Sequence, residues 1–143
     1  MICIDTSLLV PLFIEEVHSP LAKSWLSEQR EPLVLSRLNL LEFRNAIALR
    51  QHHKSLTQQE AEIIHRQFDK IHRMGMFSIQ QADDAVWLEA EGIARLKSSE
   101  IGSRSLDVWQ VAFALINGAN AFGSFDEKQR KLAAAVGLKV NLL

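Results

Sequence analysis

Short apolar runs alternate with longer helical patterns along the whole chain. The runs are ICID (residues 2–5), PLVLS (32–36), MFSIQ (76–80), AFGSF (121–125) and LKVN (138–141). Each is too short for a helix and is bounded by polar or turn-forming residues, which predicts a strand. Strands this apolar have no polar face to turn to water, so both faces of their sheet must be covered. Helices between successive strands supply that cover. The pattern predicts an α/β fold, a three-layer α/β/α sandwich with a short parallel central sheet of four to five strands. Crossovers in such a sheet are right-handed, and ligands bind beyond the carboxyl ends of its strands.

The helical stretches carry their own punctuation. TQQEAEIIHRQFDKIHRMG (57–75) is the clearest: Thr57 and Glu60 form a capping box, Ala61, Ile64, Phe68 and Ile71 mark an apolar face, and Gly75 closes it. RLNLLEFRNAIALRQ (37–51) and ADDAVWLEAEGIARLKSS (82–99) are two more. SLLVPLFI (7–14) is a helix that Pro11 limits, and in SPLAKSWLSEQ (19–29) Ser19 is a candidate N-cap before Pro20. RSLDVWQVAFAL (104–115) is apolar almost all round and belongs inside the protein, closed by Asn117 and Gly118. Asp126 is placed to cap EKQRKLAAAV (127–136), which stops at Gly137.

Composition narrows the function. The 143 residues carry a net charge of −1, whereas non-specific nucleic-acid binders are usually basic. A nucleic-acid role therefore needs a local patch or metal ions. The one cysteine, Cys3, reads as a small core side chain and permits no intrachain disulfide. No basic region precedes Asp5 as a secretory signal would require, and no apolar run spans a bilayer, so a cytoplasmic location with no membrane partner is expected.

Four acids stand out. Asp5 and Asp126 follow strands, where a helix N-cap is the plain reading and a catalytic carboxylate the other. For Asp5, the neighbours Thr6 and Ser7 could cap as well. Glu42 shares its helix face with Leu38, Ala46 and Leu49; it is either an inward carboxylate or a surface partner of Arg44 or Arg37. Asp107 sits in an apolar helix with Val111 one turn on; the helix dipole or Arg104 could satisfy it. Packing in sequence order brings all four to one sheet edge. Clustered carboxylates repel and take up protons unless a cation sits among them, and an all-oxygen set suits Mg²⁺ or Mn²⁺. Such ions activate water and stabilise a phosphodiester transition state.

At these residues the sequence resembles the PIN-domain nucleases, in particular VapC-type toxins of bacterial toxin–antitoxin pairs. The matching stretches are IDTSLL (4–9), NLLEFRNA (39–46), RSLDVWQVAFAL (104–115) and GANAFGSFDEKQRKLAAAVGLKV (118–140), in the family's order over almost the whole chain. The resemblance implies a single PIN domain over residues 1–143 and an Mg²⁺- or Mn²⁺-dependent endoribonuclease acting as a toxin. It implies Asp5, Glu42, Asp107 and Asp126 as catalytic, metal-holding residues, with Ser124 and Thr6 in support. It further implies an RNA substrate, a homodimer and an antitoxin that covers the site. Trp109 and Gln110 depart from the Leu-His that many relatives carry.

Basic residues around these acids are candidate RNA contacts: Arg44, Arg104 and Lys128 foremost, with Arg50, His52, His53, Lys54 and Arg130 alongside. A solvated surface is the alternative for each. His65, Asp69 and His72 share a helix face but lack a third strong metal ligand, and they read as exposed. Trp25, Trp87 and Trp109 read as core or dimer contacts, and Leu12, Phe13 and Trp25 face either the core or a partner chain. Three other functions compete. A PIN-fold module could bind RNA or a protein without cutting. A phosphatase using Asp5 as nucleophile would want an acid at position 7, where Ser7 stands. A Rossmann cofactor site lacks its glycine-rich turn.

Overall fold

A computed structural model of the chain describes residues 1–140. Its four strands are β1 (Ile2–Ile4), β2 (Leu33–Ser36), β3 (Phe77–Gln80) and β4 (Ala121–Gly123). All are parallel, in the spatial order β3-β2-β1-β4. Cys3 is in register with Val34 on one side and Phe122 on the other. The chain therefore builds outward from β1 through β2 and β3, then returns to place β4 on β1's free side. The order reverses between β1 and β4. At such a point the two following helices leave to opposite faces and open a crevice at the strand ends.

Side chains alternate between the faces as the pleat requires. Ile4, Leu33, Leu35 and Phe77 enter one core, with α1 (Thr6–Leu9), α2 (Ser19–Ser27), α3 (Arg37–His52) and α4 (Gln58–Arg73). Cys3, Val34 and Phe122 enter the other, with α5 (Asp84–Ile93), α7 (Ser105–Ile116) and α8 (Glu127–Ala135). A short α6 (Ser99–Ile101) links α5 to α7. The expected three layers are present, with the lower of the two strand counts. LKVN contributes one parallel bridge, Lys139 to Ala121, because only Lys139 exchanges backbone hydrogen bonds with the Asn120–Phe122 edge. Asn141 lies outside the described residues.

Several local expectations change. Pro11 does limit the first helix, which tightens into a 3₁₀ turn at Val10–Leu12. Ser19 is not an N-cap: it is buried inside the first turn of α2, donates to the Ile14 carbonyl and accepts from the Glu16 N–H. The 82–99 helix stays regular only to Ile93 and continues as a π turn over Ala94–Ser98. In RSLDVWQVAFAL, Leu106 is exposed. Leu12 and Trp25 are buried, and the Phe13 ring lies against Phe43, Phe68 and Phe77, so this region belongs to the core. Trp109 is buried as well, while Trp87 is largely exposed. The Thr57–Glu60 capping box forms as expected, and Gly75 takes the left-handed conformation that ends α4. Among the described residues no helix is long and apolar enough to cross a membrane.

Phe43 is fully buried, with ring centroids 5.3 Å from Phe13 and 5.0 Å from Phe68. Phe43→Ala should cost about 3–5 kcal/mol, a large share of a domain's whole stability. Urea unfolding monitored by circular dichroism measures this, and a loss below about 1 kcal/mol would mean the aromatic cluster does not close the α3–α4 layer.

Candidate active site

The crevice predicted by the strand order is real. A cavity of about 330 Å³ is lined by Asp5, Glu42, Asp107 and Asp126 together with Thr6 and Gln110. All four expected acids meet there, although 121 positions of sequence separate the first from the last.

Asp5 directly follows β1, caps α1 and is only 3% exposed. Its Oδ1 accepts the Leu8 N–H at 3.1 Å, and both oxygens accept from the Ser7 hydroxyl at 2.8 and 2.9 Å. Ser124, just past β4, donates to Oδ2 at 2.7 Å. The plain capping role and the site position thus coincide in one residue. Burial raises the Asp5 carboxyl to about 6; the Ser124, Ser7 and Leu8 donors oppose the rise, and the Asp126 charge adds to it.

Glu42 is partly buried on α3. It accepts from Gln110 Nε2 at 2.7 Å and from the Thr6 hydroxyl at short range, and these partners replace the surface pairing with Arg44 or Arg37. Its carboxyl is pushed up chiefly by burial, with the Asp107 charge adding and the Thr6 and Gln110 donors opposing. Asp107 lies in the first turn of α7 and accepts the Arg104 N–H at 3.4 Å. Burial raises it first, while the nearby charges of Arg104 and Lys128 favour its ionised form. It is half-buried at the cavity wall, so the apolar helix does not enclose a stranded charge. Asp126 is exposed and caps α8 through the Gln129 N–H at 2.9 Å.

The acids share a cavity without closing on one point. Among the described residues, no three His, Cys, Asp or Glu side chains stand as a ready metal-ligating group. The donor chemistry nevertheless fits Mg²⁺ or Mn²⁺, being all oxygen, acidic and flanked by the Ser124 and Thr6 hydroxyls.

A PIN domain family model matches residues 2–135 of the sequence. The chain belongs to the PIN domain family. Two solved structures share the fold of this PIN domain. FitAcB from Neisseria gonorrhoeae has a TM-score of 0.72 at 19% identity, covering 98% of this chain and 96% of that one. VapC20 from Mycobacterium tuberculosis, described as a Sarcin-Ricin loop cleaving toxin, has a TM-score of 0.69 at 17% identity, covering 98% of each chain. No curated protein sequence matches it.

The basic residues divide. Arg104 and Lys128 do not line the cavity, but both lie near enough to Asp107 for their charges to favour its ionised form. Arg44 does not line the cavity. Its guanidinium pairs with Asp69 at 2.8 Å, contacts the His65 ring and lies over the Phe68 ring at 5.1 Å, so it clamps α3 to α4. His65, Asp69 and His72 are accordingly half-buried, not exposed, with His72 hydrogen-bonded to the Phe77 carbonyl.

Three polar residues of this PIN domain have contacts around the acids that the sequence did not reveal. Ser7 links Asp5 to the segment after β4, accepting the Phe125 N–H at 2.8 Å. Asn39 is buried on α3; its Nδ2 donates to the Ile4 carbonyl at 3.1 Å and to Gln110 Oε1 at 2.9 Å. Gln110 passes this on by donating to Glu42. The available signal was spacing. Asn39 stands three residues before Glu42 and Gln110 three after Asp107, which puts each on the face of its acid.

The raised Asp5 pKa has a definite sign. The folded chain binds this proton more tightly than the unfolded one, so Asp5 favours the fold below about pH 4 and that benefit is lost as pH rises through about 6. In EDTA the loss should be on the order of 2–3 kcal/mol, and Asp5→Asn should lack it. Denaturant titrations of both proteins between pH 4 and 7 measure the difference. Parallel curves would contradict a desolvated carboxyl.

Proposed function

We propose that this PIN domain is a metal-dependent endoribonuclease, the toxin of a toxin–antitoxin pair. The observation that carries the reading is the convergence of Asp5, Glu42, Asp107 and Asp126 on one cavity at the point where the strand order reverses. Membership of the PIN family and the likeness to a toxin described as cleaving the Sarcin-Ricin loop support it.

The four carboxylates, aided by Ser124 and Thr6, would hold Mg²⁺ or Mn²⁺. When bound, the cation supplies charge for the phosphodiester transition state and lowers the pKa of water. The chain's own residues set the frame. Ser7, Ser124 and the Leu8 N–H hold Asp5 in one orientation, and Thr6 and Gln110 hold Glu42. Arg104 and Lys128, whose charges reach Asp107, are the residues assigned to RNA phosphates, contacts that position a strand without reading its sequence. An antitoxin covering this cavity, a homodimeric assembly and a cytoplasmic setting complete the proposal, by analogy with VapC-type toxins.

The test uses purified protein, single-stranded RNA and added Mg²⁺ or Mn²⁺. Wild type should cut, EDTA should stop it, and Asp5→Asn or Asp126→Asn should lower the rate by roughly a hundredfold or more. Gln110→Ala should act more mildly, about tenfold, because it releases Glu42 without removing it. Cleavage by Asp5→Asn equal to wild type would reject the assignment. Tight RNA binding with no cleavage under any divalent ion would favour the non-cutting PIN module.

A further inference from the structure

A second cavity, about 460 Å³, adjoins the acidic one and shares Thr6, Ser7 and Asp126 with it. Its other walls include His18, Phe125, Glu16 and Arg50. The His18 and Phe125 rings stack at 4.2 Å between centroids and 10° between planes. His18 is exposed and Phe125 half-buried, so the pair forms a shelf whose outer ring meets solvent. Arg50 is held in the same cavity by an ion pair with Glu16 at 2.8 Å.

We infer that this cavity is a nucleotide subsite: it takes the base next to the scissile phosphate of single-stranded RNA, stacked on His18, with the phosphate of that nucleotide turned to Arg50. The inference rests on the nuclease reading of the neighbouring acids. An unpaired base offers an aromatic face and a negative phosphate, and it is captured by stacking together with a guanidinium. Both groups are present here, one step from the carboxylates. The shelf is also tied to them. Phe125 lies between Ser124 and Asp126, and its N–H donates to the same Ser7 hydroxyl that donates to Asp5. A base seated on the shelf therefore sets the register of the strand across the acids. Elsewhere the exposed Trp87 stands beside Trp109, but its cavity is lined mainly by apolar groups and offers no basic side chain for a phosphate.

Binding separates this inference from the cutting activity. The parent is Asp107→Asn, titrated against a fluorescent single-stranded RNA in Mg²⁺ and followed by anisotropy. His18→Ala in that background should weaken binding roughly tenfold, and His18→Phe should restore it by keeping the aromatic face. An RNA with one abasic position beside the cleaved bond should bind both the parent and His18→Ala at the weaker level. Within-twofold binding of intact RNA by parent and His18→Ala would overturn the subsite, whatever the wild type cuts. Unchanged RNA binding with loss of affinity for a partner protein would overturn it in favour of a protein-docking face. Full binding effects with no cleavage by wild type would leave the subsite standing and remove the nuclease reading. A parent that does not bind single-stranded RNA overturns the subsite, and the nuclease reading is then decided by wild-type cleavage alone.

Discussion

The buried carboxylate of Asp5 is the constraint on which the site depends. A charge this deep needs compensation, and the donors grouped around it are two hydroxyls and a backbone N–H instead of a basic side chain. Those donors come from both sides of the strand-order reversal. Ser7 and Leu8 belong to the helix leaving β1, and Ser124 to the segment leaving β4. Satisfying one carboxylate therefore fastens together the two chain ends that frame the crevice. The cost of its burial shows in the raised pKa. Carboxyls shifted by burial in this way are common at functional sites.

A second polar thread reaches across the layers. Asn39 lies on a helix of one face and Gln110 on a helix of the other, and they meet at the end of β1, where Asn39 also donates to the Ile4 carbonyl. Gln110 then donates to Glu42. The orientation of Glu42 is thus set by a helix from the opposite layer. Gln110 serves the acid as a hydrogen-bond donor from inside the protein. The charges of Arg104 and Lys128 favour the ionised form of Asp107 against the opposing charge of Asp126.

How much of this was legible depended on the range of the interaction. The strands were readable because apolar runs bounded by turn residues are a local signal, and so were the Thr57–Glu60 box and the Asp126 cap. The four acids were readable as a set through the family resemblance and the rule that ligands gather at strand ends. Ser19 misled because a serine before Pro20 looks like a cap, whereas the turn ahead of it offered buried backbone partners. The contacts of Arg44 were not legible: two positions from Glu42 it points to a different side of the helix, and there it meets Asp69 and two aromatic rings.

The sequence by itself determined the parallel α/β architecture, since periodicity, caps and turn residues act over a few neighbouring positions, and its resemblance to the PIN family singled out the four acids that the fold brings to one cavity. Only the tertiary structure decided which hydroxyls hold Asp5, which amide turns Glu42, which arginines stay free of the core, and that His18 lies flat on Phe125. Those pairings join residues up to 119 positions apart. Their geometry comes from strand order and helix packing, which no local pattern encodes.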